Sequence, residues 1–244
     1  MEKANYQSRP YGYMVEKASN FIFVAPHAAG DDAFTRYITY ALAQELQASA
    51  VINTQYFKET NKKAKRYPER VCNFNRLTWW QKGGKHLFQN KHPDLKAFYK
   101  DIFALQKKVR ESDLGRAIIV HIHGMQNQDS CIDIGMGAWY NSHIRAFEDS
   151  ANVKENNGEV TMPPEMAILL RKKLEHTFKA VSDKEVTIGR YFPAWSRWTG
   201  IQTHKTINKA DWAFQLEIDK SLRTDKEHAK RTGALIAQSL KTLL

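Results

Sequence analysis

Four short stretches of this sequence carry side chains whose types and spacing can do chemistry. His27 directly follows an apolar run, Phe21-Ile-Phe-Val-Ala25 and Pro26, and Asp31 and Asp32 come soon after it. A histidine on a strand-to-helix turn with a nearby carboxylate can give two ligands to one metal ion. Either aspartate can equally cap the following helix by accepting a backbone N–H. His121 and His123 lie two apart at the end of a second apolar run, so in a strand both point to one side. One of such a pair can bind metal while the other supports it, or the two can form a buried hydrogen-bonded pair. Glu217 and Gln215 share one face of a third run, Trp212-Ala-Phe-Gln-Leu-Glu-Ile218, whose large apolar residues face the other way. A carboxylate there either meets water or serves a site, where it would act as general base toward water activated by a metal. Arg76 follows Asn73-Phe-Asn75. Its planar fork can grip a carboxylate by two parallel bonds, or it is simply a surface arginine.

Such residues meet only if the chain brings strand ends together. Residues 21–25 are too short for a helix and read as a buried strand. Phe34, Tyr37, Ile38, Ala41, Leu42 and Leu46 then repeat at helical spacing. Residues 50–53 predict a second strand and residues 58–70 a basic, solvated loop. Pro93 opens a helix reaching about Arg110, because proline suits a first turn. Residues 117–122 predict a central strand ended by Gly124, and residues 125–157 a long loop region. A helix from Pro163-Pro164 to about Val181, strands at 186–188 and 212–218, and an amphipathic helix from Asp225 to Leu243 complete the pattern. Strands alternating with helices predict one α/β domain over residues 1–244. Its central sheet is expected to be mainly parallel or mixed, with helices on both faces. In such sheets ligands sit beyond the carboxyl ends of the strands, where the residues above fall.

Composition narrows the class further. The 244 residues carry a net charge of +11, and 42% are hydrophobic. No run of about 18 apolar residues exists, so no membrane span is expected, and Met1 to Pro10 lacks an apolar leader core. A cytoplasmic location is the expectation. Cys72 and Cys131 are the only cysteines, too few for a disulfide framework in a chain this long. The positive charge attracts anions, but no recognised nucleic-acid-binding motif accompanies it.

Together the stretches Ala25-Pro-His-Ala-Ala-Gly30, Cys72-Asn-Phe-Asn-Arg76, His121-Ile-His-Gly124 with Asp133-Ile-Gly135, and Phe214-Gln-Leu-Glu-Ile218 resemble the N-formylglutamate amidohydrolases. That family belongs to the wider zinc-carboxypeptidase-like group, with a zinc-peptidase or phosphorylase/hydrolase-like fold. The resemblance implies one Zn²⁺ per chain held by His27, Asp32 and His123, with Glu217 catalytic. It implies that Asn75 and Arg76 hold the substrate carboxylate, with Gln215, His121 and Asp133 bordering the substrate. Arg190 is a further catalytic candidate on position alone, as is Arg197, for a cation near the carbonyl oxygen. The implied reaction is amide hydrolysis in a small anionic substrate: N-formylglutamate, another N-acyl amino acid or a glutamyl amide. A carboxypeptidase or γ-glutamyl peptide hydrolase would use the same site. The readings of another class are a non-catalytic binder and a basic nucleic-acid binder using the aromatic stretch Tyr191 to Trp198. Neither nucleic acid nor membrane is the expected partner, and the sequence leaves the oligomeric state open. The chain departs from the family pattern in having aspartate where glutamate is common, Cys72-Asn73 where an acid often stands, histidine at 121 where aspartate is common, and a basic loop over 58–70.

Overall fold

A computed structural model describes residues 6–75, 78–80, 86–88, 92–126, 128–141, 143, 145–147, 159–195 and 199–244. Arg76, Arg197 and Asn156-Asn157-Gly158 lie outside the described residues.

The strands are β1 (Gln7–Arg9), β2 (Gly12–Val15), β3 (Phe21–Ala25), β4 (Ser49–Asn53), β5 (Thr78–Trp80), β6 (His86–Phe88), β7 (Ile118–Met125), β8 (Ser130–Gly135), β9 (Tyr140–Asn141), β10 (Ala146–Phe147), β11 (Glu185–Ile188) and β12 (Trp212–Asp219). The helices, in chain order, are α1 (Thr35–Glu45), α2 (Pro93–Glu111), α3 (Pro164–Phe178), α4 (Gly200–Ile207) and α5 (Lys226–Leu240). Eight strands form one mixed sheet in the order β1-β2-β4-β3-β7-β12-β8-β11, and β5/β6 and β9/β10 are separate hairpins. The middle of the sheet, β4-β3-β7-β12, is parallel. β8 runs against β12, and β11 runs parallel to β8. Parallel neighbours need crossovers, which α1 supplies between β3 and β4.

Two apolar clusters lie on the two faces of this sheet. One joins Phe23, Val120, Ile122, Phe214, Leu216 and Ile218 to α1, α3 and α5. The other joins Ile22, Val24, Ile119 and Ala213 to α2 and Ile201 of α4. The helices form because each presents an apolar stripe. In α2, Leu95, Phe98, Tyr99, Ile102, Leu105 and Val109 are buried at three- and four-residue spacing, behind Pro93 in the first turn. In α5, the Asp225 carboxylate accepts from the backbone N–H groups of Glu227 and His228. Each fully buried leucine, isoleucine or phenylalanine contributes roughly 1.5–3 kcal/mol.

Three expectations change. The stretch 125–157 is not all loop: Ser130–Gly135 is a fully buried strand running against β12. Gly124 does not end β7, which continues to Met125. Gly124 is instead where the Arg223 guanidinium crosses the strand, its Cζ 2.4 Å from where a Cβ would stand. Arg223 donates to the carbonyls of Ile218, Ala33 and Met125, tying together the ends of β12 and β7 and the approach to α1. Neither Asp31 nor Asp32 caps α1, whose N-cap residue is Phe34, without a side-chain bond. No helix among the described residues is long and apolar enough to cross a membrane.

Candidate metal centre

The carboxyl ends of β3 and β7 bring His27, Asp32 and His123 together, all buried. Asp32 Oδ2 lies 3.3 Å from His27 Nδ1 and 3.1 Å from His123 Nδ1. The turn from 27 to 32 is closed by the Asp32 and Gly30 N–H groups, which donate to the His27 carbonyl. Backbone bonding therefore places the aspartate over its own histidine. One ligand atom from each residue falls within 4.8 Å of the others.

The donor set fits zinc. A four-coordinate zinc with N and O ligands at about 2.0–2.2 Å sets neighbouring donors roughly 3.3–3.6 Å apart, close to the separations found here. The tautomer of His27 fits as well. Asn73 Oδ1 accepts the backbone N–H of Asn75 at 3.0 Å, so it is an acceptor, and His27 Nε2 lies 3.0 Å from the same oxygen. Nε2 therefore carries the proton, and the Nδ1 lone pair is free to face a cation. A carboxylate and a bare imidazole nitrogen repel each other unless a proton or a cation lies between them. Burial opposes ionisation of Asp32, yet protons between it and His27 and His123, in the place a bound cation would take, outweigh it and hold the carboxyl well below its usual range. Burial pushes the His123 imidazole down to about 4, against the Asp32 hydrogen bond, so it is neutral and able to ligate at physiological pH.

Glu217 stands beside His123 on β12 and opposite Asp133 on β8. It is buried, and burial first, then the Asp32 charge, raise its carboxyl well above the usual range. Gln215 Nε2 donates to Glu217 Oε1 at 3.3 Å and to the Phe192 carbonyl at 3.0 Å. The face they share is thus interior, not wet.

The other predicted residues divide. Asn75 Oδ1 is buried with no hydrogen-bond partner among the described residues. Asp31 is turned away from the cluster: its carboxylate accepts from the Lys58 N–H at 2.9 Å and Asn61 Nδ2 at 2.7 Å. His121 does not join the ligands. Its Nε2 lies 2.9 Å from His204 Nε2, and burial, then His204, hold it well below the usual imidazole range. Asp133 is committed to the chain after β11. Its two oxygens already accept Thr187 Oγ1 and the N–H groups of Arg190, Tyr191 and Phe192, four donors for about four lone-pair sites. The Arg190 guanidinium is not brought to the cluster either, because it pairs with Glu185 over the Tyr191 ring.

Sequence reasoning missed four contributors. Asn73 orients His27 from 46 residues away, and its only sequence signal is its place in the Asn-Phe-Asn stretch. Lys58 Nζ lies 4.0 Å from Asp32 Oδ1 and draws down the Glu217 carboxyl. His204 and Arg223 act through His121 and the strand ends, with no local signal.

No protein-family model and no curated protein matches the sequence. The fold is similar to that of a gene product of Agrobacterium tumefaciens, with a TM-score of 0.54 at 11% identity, covering 93% of this chain and 92% of that one. It is also similar to two proteins provisionally assigned as metallopeptidases. The one from Shewanella amazonensis gives a TM-score of 0.51 at 12% identity, over 95% of this chain and 82% of that one. The one from Shewanella denitrificans gives 0.51 at 11%, over 95% and 78%. The chain therefore shares its fold with these proteins, and a buried His-Asp-His cluster sits at the carboxyl ends of its central strands.

Proposed function

We propose that this protein is a zinc-dependent hydrolase that cleaves an amide bond in a carboxylate-bearing substrate: an N-acyl amino acid such as N-formylglutamate, or a glutamyl amide. The observation that carries the reading is the convergence of His27, Asp32 and His123 beside a buried glutamate of raised pKa. Two fold-mates provisionally assigned as metallopeptidases support it.

Zinc bound by these residues would supply a Lewis acid for the amide carbonyl and would acidify water. Asn73 holds His27 with Nδ1 bare, and Asp32 carries the one full negative charge of the set. Glu217 takes the proton of the attacking water and delivers it to the leaving nitrogen. Its raised pKa makes its carboxylate a stronger base than one of ordinary value. Gln215 holds one Glu217 oxygen in place. Asn75 offers an Oδ1 with no partner among the described residues to a substrate N–H, and Arg76, the next residue in the chain, is assigned the substrate carboxylate because an arginine side chain can bond it at two points. Arg190 and Asp133 take no part.

The test is elemental analysis of protein purified without added metal, followed by a screen of N-acyl amino acids and glutamyl peptides. The expected result is one zinc per chain, lost in His123→Ala, and turnover that chelation abolishes and zinc restores. A wild-type protein holding no stoichiometric divalent metal, even after zinc is supplied, would overturn the reading.

A further inference from the structure

The segment from Lys58 to Arg70 holds six basic residues, Lys58, Lys62, Lys63, Lys65, Arg66 and Arg70, against two acids, Glu59 and Glu69. That leaves +4 of the chain's +11 on 13 residues. Such a stretch is usually a mobile, solvated loop, but here it is built. Successive turns join the Asn61 N–H to the Lys58 carbonyl, Ala64 to Asn61, and Arg66 and Tyr67 to Lys63. A bridge between Phe57 and Val71 closes its neck.

Both stems of the loop end on the metal centre. At one end Asp31 holds the Lys58 N–H and Asn61, and Lys58 Nζ reaches Asp32. At the other end the chain runs from Arg70 into Asn73, whose side chain orients His27. Lys63 Nζ lies over the ligand turn itself, 3.7 Å from where a Cβ on Gly30 would stand. Yet Lys62, Lys63, Lys65 and Arg66 are exposed, and among the described residues none has a carboxylate within 4.0 Å. The fold thus presents four exposed cations on a loop anchored at both stems beside the site, with Lys63 over the ligand turn.

We infer that the 58–70 loop is a binding rim for a substrate chain carrying several carboxylates, an acidic peptide extending beyond the scissile amide. This rests on the hydrolase reading of the metal centre. Surface charges act over roughly 8 Å at physiological salt, so one carboxylate at the reacting end cannot use four cations spread along a loop. A chain with a carboxylate every residue, rising about 3.3 Å each, can. Single exposed contacts are weak, so the binding is a sum over several and is steeply salt-dependent. The loop's rings favour peptide over nucleic acid. The Arg66 and Arg70 guanidiniums lie over Tyr67, and Arg70 also over Phe57, covering faces on which bases would stack.

The experiment measures anisotropy of fluorescein-labelled hexaglutamate and of labelled hexathymidylate on the zinc-loaded full chain carrying Glu217→Gln, which prevents turnover. A second protein adds Lys62→Ser, Lys63→Ser, Lys65→Ser and Arg66→Ser. We expect at least a tenfold loss of hexaglutamate affinity, with the melting temperature unchanged. In the Glu217 background the same four changes should leave kcat/KM on N-acetylglutamate within twofold. Lys63→Glu with Lys65→Glu should weaken hexaglutamate binding further. Unchanged hexaglutamate affinity in the four-site variant, or hexathymidylate bound as tightly as hexaglutamate, would overturn the inference. Absence of turnover on every carboxylate-bearing amide, with loop-dependent hexaglutamate binding intact, would overturn the hydrolase reading and with it the substrate role assigned to the loop. The two failures are therefore told apart.

Discussion

The two faces of β7 and β12 are both buried, yet they are built differently. On one face Ile118, Val120 and Ile122 meet Phe214, Leu216 and Ile218, an unbroken apolar surface under α1, α3 and α5. On the other, Ile119 and Ala213 pack under α2, and then the same face turns polar: His121, His123, Gln215 and Glu217. The change occurs within two residues along each strand. The lesson is that burial alone does not separate core from site; what separates them is whether the buried polar atoms are partnered. The apolar face has no such atoms, whereas on the polar face His121 Nδ1 and His123 Nε2 have no hydrogen-bond partner among the described residues. Unmatched buried groups are costly, and here they fall on the face that carries the site.

The sharpest way to test this difference is to change neighbouring residues on opposite faces. Glu217→Gln keeps size and shape on the polar face. We expect zinc content to stay at one per chain and turnover to fall by roughly 10²–10⁴-fold, the range for a positioned acid–base group. Leu216→Ala, one residue away on the apolar face, removes buried methyl groups with no polar consequence. It should cost about 2–5 kcal/mol of stability in a urea melt and leave zinc stoichiometry and kcat nearly unchanged. If Glu217→Gln lost its zinc while keeping its fold, Glu217 would be a ligand and the division of roles on the polar face would be wrong.

How much of this was legible in the sequence follows from the range of each interaction. β3, β12 and α2 are written in local patterns of period 2 or 3.6, and their bounds match the residues that carry those patterns. β8 was not legible, because Ser130, Asp133 and Gly135 interrupt its apolar residues and its burial comes from β12 and β11 on either side. Helix α4 was missed for the same reason: Gly200, Gln202, Thr203 and His204 are poor local signals, made helical by packing on β12. In the site, the residue types and strand ends were readable, but the choices within pairs were not. Asp31 and Asp32, or His121 and His123, differ only in what lies opposite them. Asn61 and Lys58 claim Asp31, and His204 claims His121, contacts spanning 27 to 83 residues that no local spacing encodes.

A smaller effect probes the polar face at its inner end. Burial pushes the His204 imidazole down to about 3, from about 6.5 in an unfolded chain. A depressed histidine is neutral in the fold and takes up a proton on unfolding. Its contribution to stability is therefore fully present above about pH 6.5 and is lost as pH falls toward about 3. His204→Gln keeps a polar partner for His121 but cannot titrate. Between pH 6 and pH 4 the stability of the variant should fall less steeply than that of the wild type, by up to about 1.4 kcal/mol per pH unit. His121 and His123 are buried and depressed mainly by that burial in both proteins, so the His204 proton accounts for the difference in slope. Parallel acid limbs in paired urea melts would show that His204 is already protonated or solvated in the fold.

The smallest expected effect concerns Arg190, and it tests whether charge near a site implies a role in it. From sequence, an arginine just after a strand end is a reasonable cation for a developing oxyanion. In the fold its backbone N–H does serve the architecture, donating to Asp133, but its guanidinium lies on Glu185 with both side chains partly exposed, at 44% and 37%. Exposed pairs of this kind contribute roughly 0–1 kcal/mol, since water and salt screen them. Arg190→Ala leaves the N–H to Asp133 intact and removes only the ion pair and its contact with the Tyr191 ring. Stability should change by less than about 1 kcal/mol, and kcat should stay within about twofold, because an oxyanion donor would be worth on the order of 10²-fold or more. A hundredfold fall in kcat with KM unchanged would mean that the guanidinium leaves Glu185 and swings to the reacting carbonyl when substrate binds. The partner that holds it in the free protein would then be part of a closing motion, and Glu185→Gln, by releasing it, should raise kcat/KM.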